Sequence, residues 1–129
     1  MRVFLAVLVA ASLLGASAPS SPVHSPEAQA KLDKILAGRV AGTPVHCLPL
    51  VDVLHPTAID DQTLVFREGP RIWVNDLRGS LQCGQLDKMS DVAFESDVNR
   101  ICGGNTLYFT SGSLEGACAL GDFVPYAKP

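Results

Sequence analysis

Hydrophobic and polar positions change rhythm three times along the chain. Residues 3–16 form an unbroken apolar run, VFLAVLVAASLLGA, behind the single charge of Arg2. Ala16-Ser17-Ala18 then supplies small residues of the kind signal peptidase cleaves. The run is shorter than the roughly 20 apolar residues of a stop-transfer span, so residues 1–18 read as a signal peptide. Pro19 disfavours cleavage after Ala18, which leaves cleavage after Ala16 or Ser17 open. Residues 19–24, PSSPVH, show no periodicity and read as a linker.

The second rhythm is helical. Ala28, Leu32, Ile35 and Leu36 recur on one face, with Glu27 and Lys31 at i,i+4. Ser25 suits the N-cap, Pro26 the first helical position and Gly38 the end. The pattern predicts a helix over 25–38 with an apolar stripe that needs a partner surface.

From Val45 onward the rhythm becomes short strands separated by turn residues. VHCLPLVDV is apolar but interrupted by Pro49, which fits an edge or bulged strand. QTLVFRE and RIWVNDL flank Gly69-Pro70 and read as a hairpin. Leu64 and Phe66 share one face of its first arm, and Ile72 and Val74 share one face of the second. VAFE is a short strand. NTLYFT alternates, with Leu107 and Phe109 on one side and Thr106, Tyr108 and Thr110 on the other. Gly103-Gly104 and Gly121 mark positive φ or close packing. The expected fold is mainly β, α+β at the margin. It consists of the N-terminal helix and one domain over 45–127, a twisted antiparallel sheet or open barrel of about five to seven short strands.

Composition narrows the function classes. The 129 residues carry 10 Lys and Arg against 13 Asp and Glu. Loss of Arg2 with the signal leaves a net charge of about −4. No basic cluster of the kind nucleic-acid binding needs is present. No second hydrophobic span follows the first, so no membrane span is expected after signal cleavage. The first cysteine is Cys47, too far from the signal to be a lipid anchor. Four cysteines, Cys47, Cys83, Cys102 and Cys118, form an even set in an exported chain and read as two disulfides, with three pairings open. The favoured pairing is Cys47–Cys118 with Cys83–Cys102. Cys47–Cys83 with Cys102–Cys118 is nearly as good.

The stretches IDDQTLVF, WVNDL, Cys83-Gly84, NRICGGNTLYF and GACALGDFVP together cover most of residues 45–126. In order and cysteine spacing they resemble a family of small exported bacterial proteins classed as a domain of unknown function. Ile101 and Asn105 depart from that pattern, where Leu and Asp are expected. The resemblance implies an exported single domain with its four cysteines as a set, and implies no activity.

Candidate chemistry is sparse. Asp60-Asp61, with His55 five residues earlier, form the one acidic stretch near a histidine that invites a catalytic or metal reading. Adjacent residues on an extended chain point opposite ways. A turn is the better expectation, with Asp60 or Asp61 accepting from the amide of Gln62 or Thr63 before the strand begins. His24, His46 and His55 lack metal-ligand spacing, although a site built by folding from His46, His55 and Asp61 is conceivable. GSLEG misplaces the serine of a nucleophile elbow, and CGGN lacks the context of a dinucleotide fingerprint. Trp73, Tyr108 and Tyr126 are expected to cover the core in preference to standing exposed for binding. No catalytic, cofactor or metal residue is assigned. The leading expectation is a monomeric, non-enzymatic binding module of the periplasm or medium, whose partner is an envelope protein or small ligand. The alternative is a small exported metal-dependent hydrolase using Asp60, Asp61 and His55.

Overall fold

The computed structural model describes residues 22–50, 55–78, 83–96 and 98–129. The expected signal segment lies outside them. One helix, α1 (Pro26–Leu36), comes first. The Ser25 hydroxyl accepts from the Ala28 amide at 3.2 Å, and Gly38 takes φ +72° just past the end, where a Cβ would be strained.

Ten strands follow among the described residues. They are β1 (Val40–Ala41), β2 (Cys47–Pro49), β3 (Thr57–Ala58), β4 (Thr63–Glu68), β5 (Arg71–Asp76), β6 (Asp91–Phe94), β7 (Arg100–Cys102), β8 (Thr106–Ser111), β9 (Leu114–Ala119) and β10 (Phe123–Ala127). The fold is therefore mainly β and antiparallel, but the strands are more numerous than expected and divide into three sheets. Their orders are β1-β10-β5-β4-β3, β2-β7 and β6-β8-β9, with no closed barrel. Isolated bridges Val45↔Phe123 and Arg78↔Ala119 stitch the smaller sheets to the large one.

The predicted hairpin is β4–β5, with Gly69 at φ +54° in the turn. Its register puts Leu64, Phe66, Trp73 and Asn75 on one face, and Thr63, Val65, Ile72 and Val74 on the other. Both faces are buried. The α1 stripe of Ala28 and Leu32, flanked by Ile35 and Leu36, packs on Val65, Ile72 and Val74. On the opposite face Leu64, Phe66, Trp73 and Phe123 meet Leu48, Ile101, Leu107, Phe109 and Cys118 from the two smaller sheets. Phe66 sits at 6.0 Å from Phe94 and 5.7 Å from Phe123, centroid to centroid. The large sheet is thus the middle layer, between the helix and the two smaller sheets.

The favoured cysteine pairing is corrected. The bonds are Cys47–Cys102 and Cys83–Cys118, with Cα separations of 4.0 and 5.4 Å. Strand register explains the difference. β2 pairs with β7 so that Cys47 lies directly opposite Cys102. Cys118 is on the inward face of β9, opposite Leu107, and meets Cys83 in the core. The two loops span 55 and 35 residues and interleave in place of nesting. Each closure alone is worth about 4 kcal/mol in the chain-entropy model. Because they interleave, their contributions do not simply add.

Two hydrogen-bonded pairs explain motifs that the sequence offered without a reason. Asn75 is fully buried, and its side-chain amide bonds both the carbonyl and the N–H of Gly121 at 2.8 Å. A Cβ on Gly121 would strike the Asp76 carbonyl oxygen. WVNDL and CALGDF are therefore two halves of one contact. Likewise the Asn105 side chain accepts from the Cys102 amide at 2.8 Å, closing the β7–β8 turn.

Candidate functional site

The acidic stretch is a corner. Asp60 Oδ1 accepts from the amides of Gln62 and Thr63 at 2.8 and 3.0 Å, the arrangement the turn reading expects. The Ile59 amide bonds the Thr63 carbonyl at 2.9 Å, and the buried Thr63 hydroxyl donates to Asp76 at 2.8 Å. Lys31 reaches across from α1 to the Ala58 carbonyl at 2.8 Å. The corner thus locks helix, β3 and β4 together.

Among the described residues Asp60, Asp61 and His55 share no partner. The second oxygen of Asp60 bonds His24 Nδ1 at 2.5 Å, and the His24 side chain is only 6% exposed. His24 falls in the expected linker, and nothing in the sequence spacing signals a partner 36 residues away. Asp61 turns instead to the Asp87 amide at 3.5 Å. Its carboxyl titrates above the ordinary 3.8, first because of partial desolvation and then because the Asp87 carboxylate lies beside it. His55 is exposed at the start of the bend before β3. Among the described residues no three His, Cys, Asp or Glu side chains gather as metal ligands would.

A second polar group forms where the three sheets meet. His46 Nδ1 and Arg78 Nη2 both contact Asp122 Oδ1, at 2.9 and 3.2 Å. They lie over Gly103, where a Cβ would crowd all three. The His46, Asp122 and Arg78 side chains are each about half exposed, at 62%, 48% and 52%. Solvent therefore weakens their attraction. The group spans the seam without joining His55 or Asp61.

The surface that remains is the outer face of β6-β8-β9. Leu107 and Phe109 turn into the core, and Thr106, Tyr108 and Thr110 turn out, as the alternation predicts. Tyr108 is 50% exposed, which corrects the expectation that it covers the core. The reason is its register. Ala93 on β6 and Ala117 on β9 lie directly opposite it, and neither is large enough to shield the ring. Two shallow grooves flank it. One, about 570 Å³, is lined by Gly84, Gln85, Leu114 and Ala117; the other, about 320 Å³, by Asp91, Ala93 and Thr110. Both share Tyr108, Glu115 and Gly116. Leu114, 56% exposed, extends the apolar part of this face. By contrast Trp73 is buried and donates to Glu68 Oε2 at 2.8 Å, and Tyr126 packs beside α1. The alternation in NTLYFT marked Tyr108 as outward. The alanines that leave it standing proud follow only from the register.

No family model, curated protein or solved structure matches the chain. Two disulfides fit an oxidising compartment outside the cytosol. Among the described residues no helix is long and apolar enough to cross a membrane.

Proposed function

We propose that this protein is a non-enzymatic binding module, periplasmic or secreted, that engages its partner through the outer face of β6-β8-β9. The observation that carries the reading is Tyr108, half exposed between two grooves on a sheet face that no other element among the described residues covers. Tyrosine offers a rigid, amphipathic contact at low conformational cost and is enriched in interfaces. The carboxylates with the most suggestive sequence, Asp60 and Asp61, are engaged in backbone bonds, and that supports a binding role over hydrolysis.

The test is affinity capture from the periplasmic fraction and culture medium of the source cell, with the oxidised wild-type protein and its Tyr108→Ala variant as parallel baits. Species retained by the wild type and lost with the variant support the reading. Equal retention by both contradicts it.

A further inference from the structure

Resting on that reading of the face, we infer that its occupant is a cationic polypeptide segment, with an arginine or lysine side chain laid over Tyr108. Charge complementarity on this face points to a cation. β6, β8 and β9 contain Asp91 and Glu115 and no Lys, Arg or His. Register places Asp91 and Glu115 on either side of Thr110 in one row across the sheet. Neighbouring strands are about 4.8 Å apart, so the two carboxylates stand roughly 10 Å apart at the backbone. Tyr108 lies two residues along β8, about 7 Å from that row and on the same face. Glu95 follows β6 opposite Thr106, and its amide donates to the Thr106 carbonyl at 2.8 Å. Acidic side chains therefore rim the aromatic ring on two strands.

A guanidinium stacked on Tyr108 would keep its alkyl stem against Ala93 or Ala117 and present its N–H groups to Asp91 or Glu115. The molecule already uses this pairing once, with the Arg71 guanidinium 5.4 Å from the centre of the Trp73 ring. The two grooves run on either side of the ring and meet at Glu115 and Gly116, which suits an extended chain better than a compact ligand. A polyanion is disfavoured by the same carboxylates. A neutral glycan would use the ring and leave them unpaired.

The experiment is a 15N–1H NMR titration of the oxidised protein with a hexa-arginine peptide, a hexaglutamate peptide and a neutral oligosaccharide in turn. The expected result is saturable shifts at Ala93, Tyr108, Gly116 and Ala117 with hexa-arginine, none with hexaglutamate, and weakening at raised salt. Tyr108→Ser and Glu115→Gln should each reduce hexa-arginine affinity, by roughly tenfold for the tyrosine. Glu115→Gln keeps the test open should the tyrosine variant fold poorly. Hexa-arginine shifts confined to other surfaces, or unchanged affinity in both variants, overturn the cationic occupant. So do shifts at these amides by the oligosaccharide alone. If partner capture still depends on Tyr108, the occupant is wrong and the face is right. If capture is indifferent to Tyr108, the underlying reading has failed.

Discussion

The hairpins β4–β5 and β8–β9 are built alike and used differently. Each has two six-residue antiparallel arms and a turn containing a positive-φ glycine, Gly69 or Gly112. In β4–β5, Leu-Val-Phe and Ile-Trp-Val run without a polar break, and both faces are covered, by α1 and by the smaller sheets. In β8–β9, Leu107 and Phe109 alternate with Thr106, Tyr108 and Thr110, and one face is covered. A continuous apolar run marks a strand buried on both sides, and alternation marks a strand with a free side. The first hairpin holds the molecule together, and the second has a face left for something else.

The sharpest way to break this contrast is to empty the first hairpin. Phe66→Ala removes a fully buried ring between Phe94 and Phe123 and should cost about 3–5 kcal/mol in denaturant unfolding. A loss below about 1 kcal/mol would mean that the middle layer is not packed on this face. Next comes the corner that starts β4. Asp60→Ala strips an acceptor from two amides and leaves the buried His24 without its partner, so about 1–3 kcal/mol should be lost. In the other hairpin, Tyr108→Ala should change stability by no more than about 0.5 kcal/mol, the range of surface substitutions. A loss comparable to that of Phe66→Ala would show that the open face is structural after all.

The smallest effect is electrostatic. Partial burial, and then the neighbouring Asp87 carboxylate, raise the Asp61 carboxyl above 3.8. The folded state therefore holds that proton more tightly than the unfolded chain does. Stability falls as pH rises from 3.8 through the folded value, and the penalty is complete at neutral pH. Asp61→Asn should remove it, a gain of at most about 0.5 kcal/mol at pH 7 for a site this open to solvent. The gain should vanish below about pH 3.8. Unfolding curves at pH 7 and pH 3 check the sign.

Much of this was legible in the sequence because it is local. The cap at Ser25, the α1 stripe, the Gly69-Pro70 hairpin, the alternation around Tyr108 and the Asp60 turn each depend on residues within a few positions of one another. What was not legible depends on distant register. Cys47 meets Cys102 because β2 lies against β7, and no spacing rule encodes that pairing. The three sheets are joined by isolated bridges between residues distant in sequence, and His24 finds Asp60 only once the leading segment lies against the corner. The exposure of Tyr108 lies between these cases. Its direction was set by alternation, but its openness comes from alanines on two other strands, one in the β6 segment and one after the β8–β9 turn.

Among the described residues the face around Tyr108 stands uncovered while the other aromatic side chains are packed. Tyrosine nitration by tetranitromethane, mapped by peptide mass spectrometry on the oxidised free protein, tests it most directly. Tyr108, 50% exposed, should be nitrated well ahead of Tyr126, which lies against the α1 layer. A protected Tyr108 with a reactive Tyr126 would contradict the account, because the proposed docking face would then already be covered.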